Sequence, residues 1–373
     1  MMREDAMSIA TELVTDKKTV RPRQSVLDMP EYHPPLAGRE ALRLDFNENT
    51  LAPSPSVMER LHAMTAEGLT KYPEREPVER VVAAHFGLQA EQVLLTNGVD
   101  EAIHLMCVAF LEEGDEAMIA TPTFFMYDVS IKLMTHGLVK VQADESLQFP
   151  FERFMAAITE RTKLIIVASP NNPTGAAVSR EHLLAIAAAA PQAVLMVDEA
   201  YYHFHGESTM QDLASVPNLI VARTFSKAYG LANLRIGMLA GNPGLLKYVR
   251  KVSSPYNVNG VALECLPVAL ADETYLAWYA EQVRVGRERM MAGLTALGVP
   301  FFPSHANFVL MKIGSKHGDL VKAMRKHGVL LRDRSADPGC DGFVRITIGV
   351  EEHVTKGLAA LKESLQEIGW VAE

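Results

Sequence analysis

The segment VARTFSKAYGLANLRIG, residues 221–237, places a lysine between hydroxyl side chains and an arginine eight residues beyond it. Lys227 follows an apolar run that is typical of a buried strand, with Thr224 and Ser226 just before it and Arg235 after it. Burial disfavours a charged amine, so Lys227 is expected to have a lowered pKa that favours imine formation. Hydroxyl and guanidinium groups bind phosphate well. The segment therefore indicates imine chemistry beside a phosphate site.

Two other predicted strand ends carry polar groups that could meet the ring of the same ligand. In VLMVDEAYYHF, Asp198 ends an apolar run, where a carboxylate is costly unless a positive group faces it. A protonated pyridine nitrogen would serve, and Tyr201 could reach the same ring. In IIVASPNNPTG, an asparagine amide could donate to a phenolic oxygen. The structural alternatives are a helix cap or salt bridge for Asp198 and an ordinary turn for residues 171–175.

A glycine turn opens a predicted helix in TNGVDEAIHL, residues 96–105. Gly98 belongs to the turn, and Val99 and Asp100 start the helix, where free N–H groups and the positive dipole end suit a phosphate. A capped helix is the structural alternative for Asp100. Together, an imine-forming lysine, an acid for a ring nitrogen, an amide donor and a phosphate cup are what pyridoxal 5'-phosphate requires.

The elements that must position these residues are short apolar runs alternating with helical patterns. Buried strands separated by helices predict an α/β fold, a mostly parallel seven-stranded sheet between helices. In such sheets, ligands bind beyond the carboxyl ends of the strands, where these polar side chains lie. The predicted strands are 93–96, 117–121, 139–141, 164–169, 194–198, 219–225 and 236–241.

The pattern changes at about residue 255, which predicts a second, smaller α+β domain. One long helical stretch is predicted over 260–297, followed by strands at 307–313 and 343–349 and a final helix. We expect an N-terminal arm at 1–45, packing on the small domain or a partner subunit. A large cofactor-binding domain at 46–255 and the small domain at 256–373 would follow.

Composition excludes several classes of function. The 373 residues carry a net charge of −9, which argues against nucleic-acid or anionic-membrane partners. The N-terminus carries charge throughout and lacks an apolar signal-peptide core. No uninterrupted apolar stretch approaches the roughly 20 residues of a membrane helix. Three widely spaced cysteines favour a reduced, cytoplasmic setting. No metal site is predicted, because HFH at 203–205 has no third ligand nearby.

Seven motifs in order resemble the fold-type I, class II pyridoxal-phosphate aminotransferases, most closely the histidinol-phosphate aminotransferases. The motifs are YPEREP, NGVDEAI, TPTFFMY, SPNNPTG, VDEAY, TFSKAYGLANLRIG and FVRITIG, and the resemblance spans about residues 25–370. It implies the fold-type I transferase fold and a homodimer with active sites shared across the interface.

The resemblance also implies a role for each matching residue. Lys227 would hold the cofactor as an imine and then act as general base, with Asp198 on the ring nitrogen. Phe124 would stack on the ring, and Tyr72 would reach the phosphate of the neighbouring subunit's cofactor. The remaining cofactor-binding residues would be Gly98, Val99, Asp100, Asn172, Tyr201, Thr224, Ser226 and Arg235.

The implied reaction transfers the amino group of L-histidinol phosphate to 2-oxoglutarate, a step of histidine biosynthesis. Substrate-binding residues would be Asn47, Glu48, Asn49, Arg332 and Arg345, although Thr50 stands where the family's proline is usual. Arg345 would bind a substrate carboxylate, and for L-histidinol phosphate, which has none, Arg345 and Arg332 are the candidates for binding the phosphate. Two alternatives keep the fold: another amino-acid aminotransferase, such as an aromatic one, or a threonine-phosphate decarboxylase. A cofactor-sensing transcription regulator is a further alternative, but the N-terminal segment is too short and insufficiently basic for a DNA-binding module.

Overall fold

The computed structural model describes residues 20–29, 31 and 40–371 of the chain. The chain divides into two units, residues 1–36 and 37–373. In the first unit a single turn of helix, α1 (Gln24–Leu27), is described, closed by a hydrogen bond from the Gln24 amide to the Asp28 carboxylate. Most of the predicted N-terminal arm lies outside the described residues, so its packing stays a prediction.

The first half of the second unit alternates strands and helices, as the apolar runs predict. In chain order the elements are β1 (Leu42–Arg43), α2 (Pro55–His62), α3 (Ala66–Thr70), α4 (Glu76–His85), β2 (Val93–Thr96), α5 (Gly98–Phe110), β3 (Glu116–Thr121), α6 (Phe125–Lys132), β4 (Gly137–Gln142), α7 (Phe151–Ala156), β5 (Thr162–Ala168), α8 (Arg180–Ala189), β6 (Val194–Asp198), β7 (Leu219–Thr224), β8 (Gly237–Gly241) and α9 (Pro243–Val252).

The second half is richer in helix and builds a separate sheet. Its elements are α10 (Gly260–Ala271), α11 (Glu273–Ala296), β9 (Phe301–Phe302), β10 (Phe308–Lys312), α12 (His317–Lys326), β11 (Val329–Leu330), β12 (Arg332–Asp333), β13 (Phe343–Thr347) and α13 (Glu351–Glu367). An antiparallel sheet has the order β12-β13-β10-β9, and β1 pairs in parallel with β11.

The central sheet has seven strands in the order β2-β8-β7-β6-β5-β3-β4. The predicted mostly parallel sheet is therefore confirmed, and β8 is its antiparallel strand, pairing that way with both β2 and β7. The connection from β7 to β8, residues 225–236, contains no α-helix. Without a helical crossover the chain enters β8 from the end at which it left β7, and the pairing is antiparallel.

Alternate residues of the central strands pack into different cores, because side chains along a strand point to opposite faces. Leu195 and Val197 of β6 join the core that includes α10. Val194 and Met196 join the core that includes α5. Burial on both faces explains why these strands are continuous apolar runs in the sequence.

The helical stretch predicted over 260–297 consists of two helices, α10 and α11, which are separated at Asp272. This residue has ψ of 64°, and its carboxylate accepts from the Tyr275 backbone N–H at 3.1 Å and from the Ser54 hydroxyl. Its side chain caps the start of α11, an arrangement that competes with continuing the helix before it. The helical spacing of apolar residues continues on both sides of Asp272, so the sequence pattern does not reveal the break.

Residues 37–373 form one compact unit, so the division into domains at residue 255 stays a prediction. None of the helices in the described part of the chain combines the length and apolarity that a membrane span requires.

Candidate active site

Lys227 lies in the loop between β7 and β8, where a fully buried strand ends. Its Nζ donates to the backbone oxygen of Phe46 at 3.1 Å. Burial lowers the pKa of Lys227 to about 8, and the guanidinium of Arg345 acts in the same direction. This places an amine that is readily deprotonated near neutral pH at the carboxyl end of the sheet, as imine or proton-transfer chemistry requires.

Asp198 is the last residue of β6 and is buried. One carboxylate oxygen accepts from the Tyr127 hydroxyl at 2.5 Å, and the other accepts from the Ala200 backbone N–H at 3.0 Å. Burial raises the pKa of Asp198 to about 6 even though both hydrogen bonds lower it. Such a carboxylate gains from a positive partner, and a protonated ring nitrogen has the required chemistry.

Tyr201 and Asn47 form a buried hydrogen-bonded pair beside this carboxylate's loop. The Asn47 amide donates to the Tyr201 hydroxyl at 3.0 Å, and its backbone N–H donates to the Thr347 hydroxyl at 3.0 Å. Burial raises the pKa of Tyr201. Because Asn47 donates, the phenol proton of Tyr201 stays available for a ligand.

Asn172 and Arg345 are brought together from elements 173 residues apart. Arg345 lies in the middle of β13. Its Nη1 donates a hydrogen bond to the side-chain oxygen of Asn172, and its Nη2 donates one to the backbone oxygen of Asp45 at 2.8 Å. Burial lowers the pKa of Arg345 to about 9, and Arg334 adds to the effect. No carboxylate of the described residues forms an ion pair with Arg345. This is the environment of a cation that binds an anionic ligand.

The predicted phosphate cup is assembled where α5 starts against the end of β7. A Cβ on Gly98, whose φ is +75°, would lie 2.7 Å from Arg235 Nη2. A Cβ on Gly237 would lie 3.0 Å from the Val99 backbone nitrogen. Both glycines are needed for this close approach, and free N–H groups at the helix start face the same region as Arg235.

Asp100, Thr224 and Ser226 complete this cup. The Arg235 guanidinium pairs with the Asp100 carboxylate at 2.9 Å. The Thr224 hydroxyl accepts from the Ser226 backbone N–H at 3.1 Å, which orients the Thr224 side chain at the end of β7. The cluster can donate several hydrogen bonds to one phosphate group.

The two predicted aromatic residues lie in different surroundings. Phe124 is partly buried and packs edge-on against Tyr127 with ring centroids 5.6 Å apart, so it lies near Asp198. Tyr72 is 78% exposed and stacks on Tyr256 at 4.4 Å. None of the described contacts joins Tyr72 to the other predicted site residues of its own chain. A role at a partner's site stays a prediction.

The predicted substrate-binding residues differ in the contacts that their side chains make. Arg332 lies directly across from Arg345 in the β12–β13 pair, and its guanidinium is 5.2 Å from the Phe46 ring centre. Glu48 lies 3.7 Å from Arg43. The Asn49 amide donates to the Ala228 backbone oxygen and to the Tyr275 hydroxyl, both at 3.2 Å, and accepts from the Leu51 N–H at 2.9 Å. These contacts favour a positioning role for Asn49 over substrate binding.

Two charged or polar residues of the site were missed by sequence reasoning. Tyr127 comes three residues after Phe124, so helical spacing could have placed both on one face. Arg334 comes two residues after Arg332, so strand spacing could have placed both on one side of the sheet. Tyr127 is the last residue of the TPTFFMY motif.

Comparison with known proteins shows which family the chain matches. A family model described as aminotransferase class I and II matches residues 39–361. A histidinol-phosphate aminotransferase of Moorella thermoacetica is 31% identical over 360 residues, covering 92% of each chain.

Solved structures share the fold. A histidinol-phosphate aminotransferase from Sinorhizobium meliloti, in complex with pyridoxal-5'-phosphate, superposes with a TM-score of 0.84 and 26% identity, covering 94% of this chain and 99% of that one. An L-threonine-O-3-phosphate decarboxylase from Porphyromonas gingivalis superposes with a TM-score of 0.78 at 23% identity, covering 87% and 99%. At that identity the second likeness shows the fold alone.

Proposed function

Because the chain belongs to the class I and II aminotransferases and is a pyridoxal-phosphate-dependent transaminase, we propose that its amino donor is L-histidinol phosphate. The acceptor would be a 2-oxo acid such as 2-oxoglutarate. The observation that carries the proposal is Arg345, a buried cation that forms no ion pair with a described carboxylate, opposite Arg332. The names of the relatives support the same substrate.

The residues present fit the cofactor. Lys227 supplies an amine with a lowered pKa, and Asp198 supplies a buried carboxylate without a cationic partner among the described residues. Gly98, whose φ is +75°, leaves room for the Arg235 guanidinium at the start of α5. We assign the phosphate to Gly98, Val99, Asp100, Thr224, Ser226 and Arg235.

Each remaining residue has a role set by its own hydrogen bonds. When bound, pyridoxal phosphate supplies an electron-withdrawing ring that stabilises negative charge at the donor's reacting carbon. Asp198 would keep the ring nitrogen protonated, and Phe124 would cover one ring face. Tyr201 and Asn172 would contact the phenolic oxygen, with Tyr201 oriented by Asn47. Lys227, once free, would move the proton at the donor carbon through Nζ.

The donor's phosphate would occupy the cationic end of the site. Arg345 and Arg332 lie on adjacent strands in direct register, so both guanidinium groups can reach one anion. Arg345 is held by Asn172 and Asp45, which fixes its orientation before substrate binds. Preorganised charge of this kind strengthens binding without a conformational cost.

We also propose a homodimer in which Tyr72 completes the partner's phosphate site. Tyr72 and Tyr256 are both largely exposed and stacked, and Leu69 nearby along the chain is 66% exposed. A second copy of the chain would cover these apolar groups. The cytoplasm is proposed as the location because Cys107, Cys265 and Cys340 are all free thiols.

The proposal is tested by half-reactions without an acceptor. Purified holoenzyme is mixed separately with L-histidinol phosphate, L-phenylalanine, L-tyrosine and L-threonine phosphate, and the cofactor absorbance is followed. The rate constant divided by the dissociation constant should be largest for L-histidinol phosphate. Faster conversion by an aromatic amino acid would replace the proposal with the aromatic alternative, and release of carbon dioxide from L-threonine phosphate would replace it with the decarboxylase.

A further inference from the structure

A third arginine, Arg334, lies beside the two that face the proposed substrate anion. It is two residues after Arg332, so the two side chains leave the strand on the same side. Its backbone N–H donates to the Phe343 oxygen at 2.9 Å, which extends the β12–β13 pairing by one residue. Arg334 is therefore diagonal to Arg345 on the adjacent strand, within reach of a long side chain.

Among the described residues, Asp337 is the carboxylate that pairs with the Arg334 guanidinium. A turn in which the Asp337 N–H donates to the Arg334 oxygen at 2.9 Å closes this contact. Burial raises the pKa of Asp337, while Arg334, Arg345 and Arg332 oppose that shift. Asp337 therefore lies within the electrostatic reach of all three arginines.

Two guanidinium N–H groups of this cluster have no hydrogen-bond partner among the described residues. They are Nε of Arg334 and Nε of Arg345, which belong to residues that are 9% and 4% exposed. A buried donor that stays unpaired costs about 1–3 kcal/mol, more when charged. Oδ2 of Asp337, which contacts the Arg334 guanidinium, also lacks a hydrogen-bond partner among the described residues. The cluster therefore has hydrogen-bonding capacity that its own contacts do not use.

The charges of the cluster suit a dianion better than a monoanion. Three guanidinium groups lie around the single carboxylate of Asp337, and each of them opposes the effect of burial on its pKa. A phosphate monoester approaches a charge of about −2 near neutral pH and offers three acceptor oxygens. A carboxylate has one negative charge and two oxygens, so it can accept fewer hydrogen bonds from these guanidinium groups than a phosphate can.

We infer that Arg334, positioned by Asp337, is the specificity-determining residue that makes this site prefer a phosphate monoester over a carboxylate. The inference deepens the proposed function and rests on it for the identity of the amino donor. The competing interpretation is that the Arg334–Asp337 pair only closes the turn at 334–337. That interpretation predicts equal losses for phosphorylated and carboxylate donors.

The test measures dissociation constants in half-reactions of the holoenzyme for L-histidinol phosphate and L-phenylalanine. Arg334→Gln should weaken binding of L-histidinol phosphate at least about tenfold. The dissociation constant for L-phenylalanine divided by that for L-histidinol phosphate should fall by a similar factor. Arg334→Lys, which keeps the charge but loses the planar fork, should lose less of the preference. Arg289→Gln, an exposed arginine paired with Glu351, is the control and should leave the ratio unchanged.

Inorganic phosphate provides a readout that does not depend on the donor's identity. It should inhibit the reaction with L-phenylalanine competitively, and Arg334→Gln should raise its inhibition constant at least about tenfold. Equal losses for both donors, or an unchanged inhibition constant for phosphate, would overturn the inference. Failure of wild-type enzyme to use L-histidinol phosphate, with phosphate competition intact, would overturn the proposed donor alone. If Arg334→Gln does not fold, Arg334→Lys carries the same comparison.

Discussion

The hydroxyl of Tyr127 donates a 2.5 Å hydrogen bond to the carboxylate of Asp198, and both residues are buried. Tyr127 lies on α6 and Asp198 ends β6. The bond therefore links the helix to the central sheet and fixes the orientation of the carboxylate. The same bond lowers the pKa of Asp198 against the effect of burial.

Tyr127→Phe should weaken pyridoxal phosphate binding about tenfold or more, because one charge-assisted hydrogen bond to Asp198 is lost. Loss of this bond should raise the pKa of Asp198 in the apoenzyme. As the pH is lowered, the variant should therefore begin to lose cofactor affinity at a higher pH than the wild-type enzyme does. Cofactor affinity measured by equilibrium dialysis between pH 5 and 8 checks both effects. Tyr229→Phe is the matched control, since the Tyr229 hydroxyl is buried without a described hydrogen-bond partner. Equal affinities for all three proteins would contradict this role.

Replacing Lys227 should change how apoenzyme stability depends on pH. The folded-state pKa of Lys227, about 8, is below the unfolded value near 10.4. The unfolded chain therefore binds the proton more readily between these values, and wild-type stability gains from rising pH in that window. Lys227→Met lacks this contribution, so its stability relative to wild type should be greatest below pH 8 and decline up to about pH 10.4. Denaturant unfolding of both apoenzymes across this range measures the difference. A constant difference would show that Lys227 has an ordinary pKa.

Lys227→Ala should abolish transamination and the visible absorbance of the cofactor bound to the enzyme, because no amine is left to form the imine. Spectra and turnover of the purified variant test this directly. A folded variant that kept both would refute the assignment of Lys227.

The buried ion pair between Glu199 and Arg223 should matter far more for stability than an exposed one. Glu199 accepts from Arg223 at 2.8 Å and from the Thr209 N–H at 2.8 Å, and both charged side chains are almost fully buried. Glu199→Gln leaves the Arg223 charge buried and uncompensated. The free energy of unfolding should therefore decrease by about 3–5 kcal/mol. Glu281→Gln, in an exposed pair with Arg284, is the control and should have a much smaller effect. Urea unfolding of the two apoenzymes compares them, and similar losses would contradict the expectation.

Mixed dimers test the proposed role of Tyr72. Tyr72→Ala and Lys227→Ala are each expected to be nearly inactive as pure proteins. Refolding them together in equal amounts should restore about one quarter of wild-type activity, because half of the dimers would contain one intact composite site of two. Mixing Lys227→Ala with Asp198→Ala, both on the same side of the proposed site, is the control and should restore none.

Strand ends explain why much of the candidate site could be predicted from the sequence. Lys227, Asp198 and Asn172 each follow an apolar run, and parallel strands bring their carboxyl ends to one edge. The antiparallel β8 could not be predicted in this way, because its apolar pattern carries no direction. The break at Asp272 was missed because the helical periodicity continues on both sides of it.

Contacts between distant segments account for the residues that sequence reasoning missed or placed incompletely. The hydrogen bond of Tyr127 depends on how α6 packs beside β6, which no local pattern encodes. Asn49 was grouped with the substrate-binding residues, yet its amide hydrogen-bonds to Ala228 and Tyr275, 179 and 226 residues away. Arg334 gains its position from the pairing of β12 with β13.

The bonds of Asn47 to Thr347 and of Asp45 to Arg345 each join residues 300 positions apart. At a synthesis rate of about 5–20 residues per second, the early partner waits about 15–60 s on the ribosome before the late one exists. The central sheet can form during that interval, whereas the substrate side of the catalytic centre has no complete form until translation has passed residue 347. A nascent chain of this protein is therefore a folded scaffold before it is an enzyme.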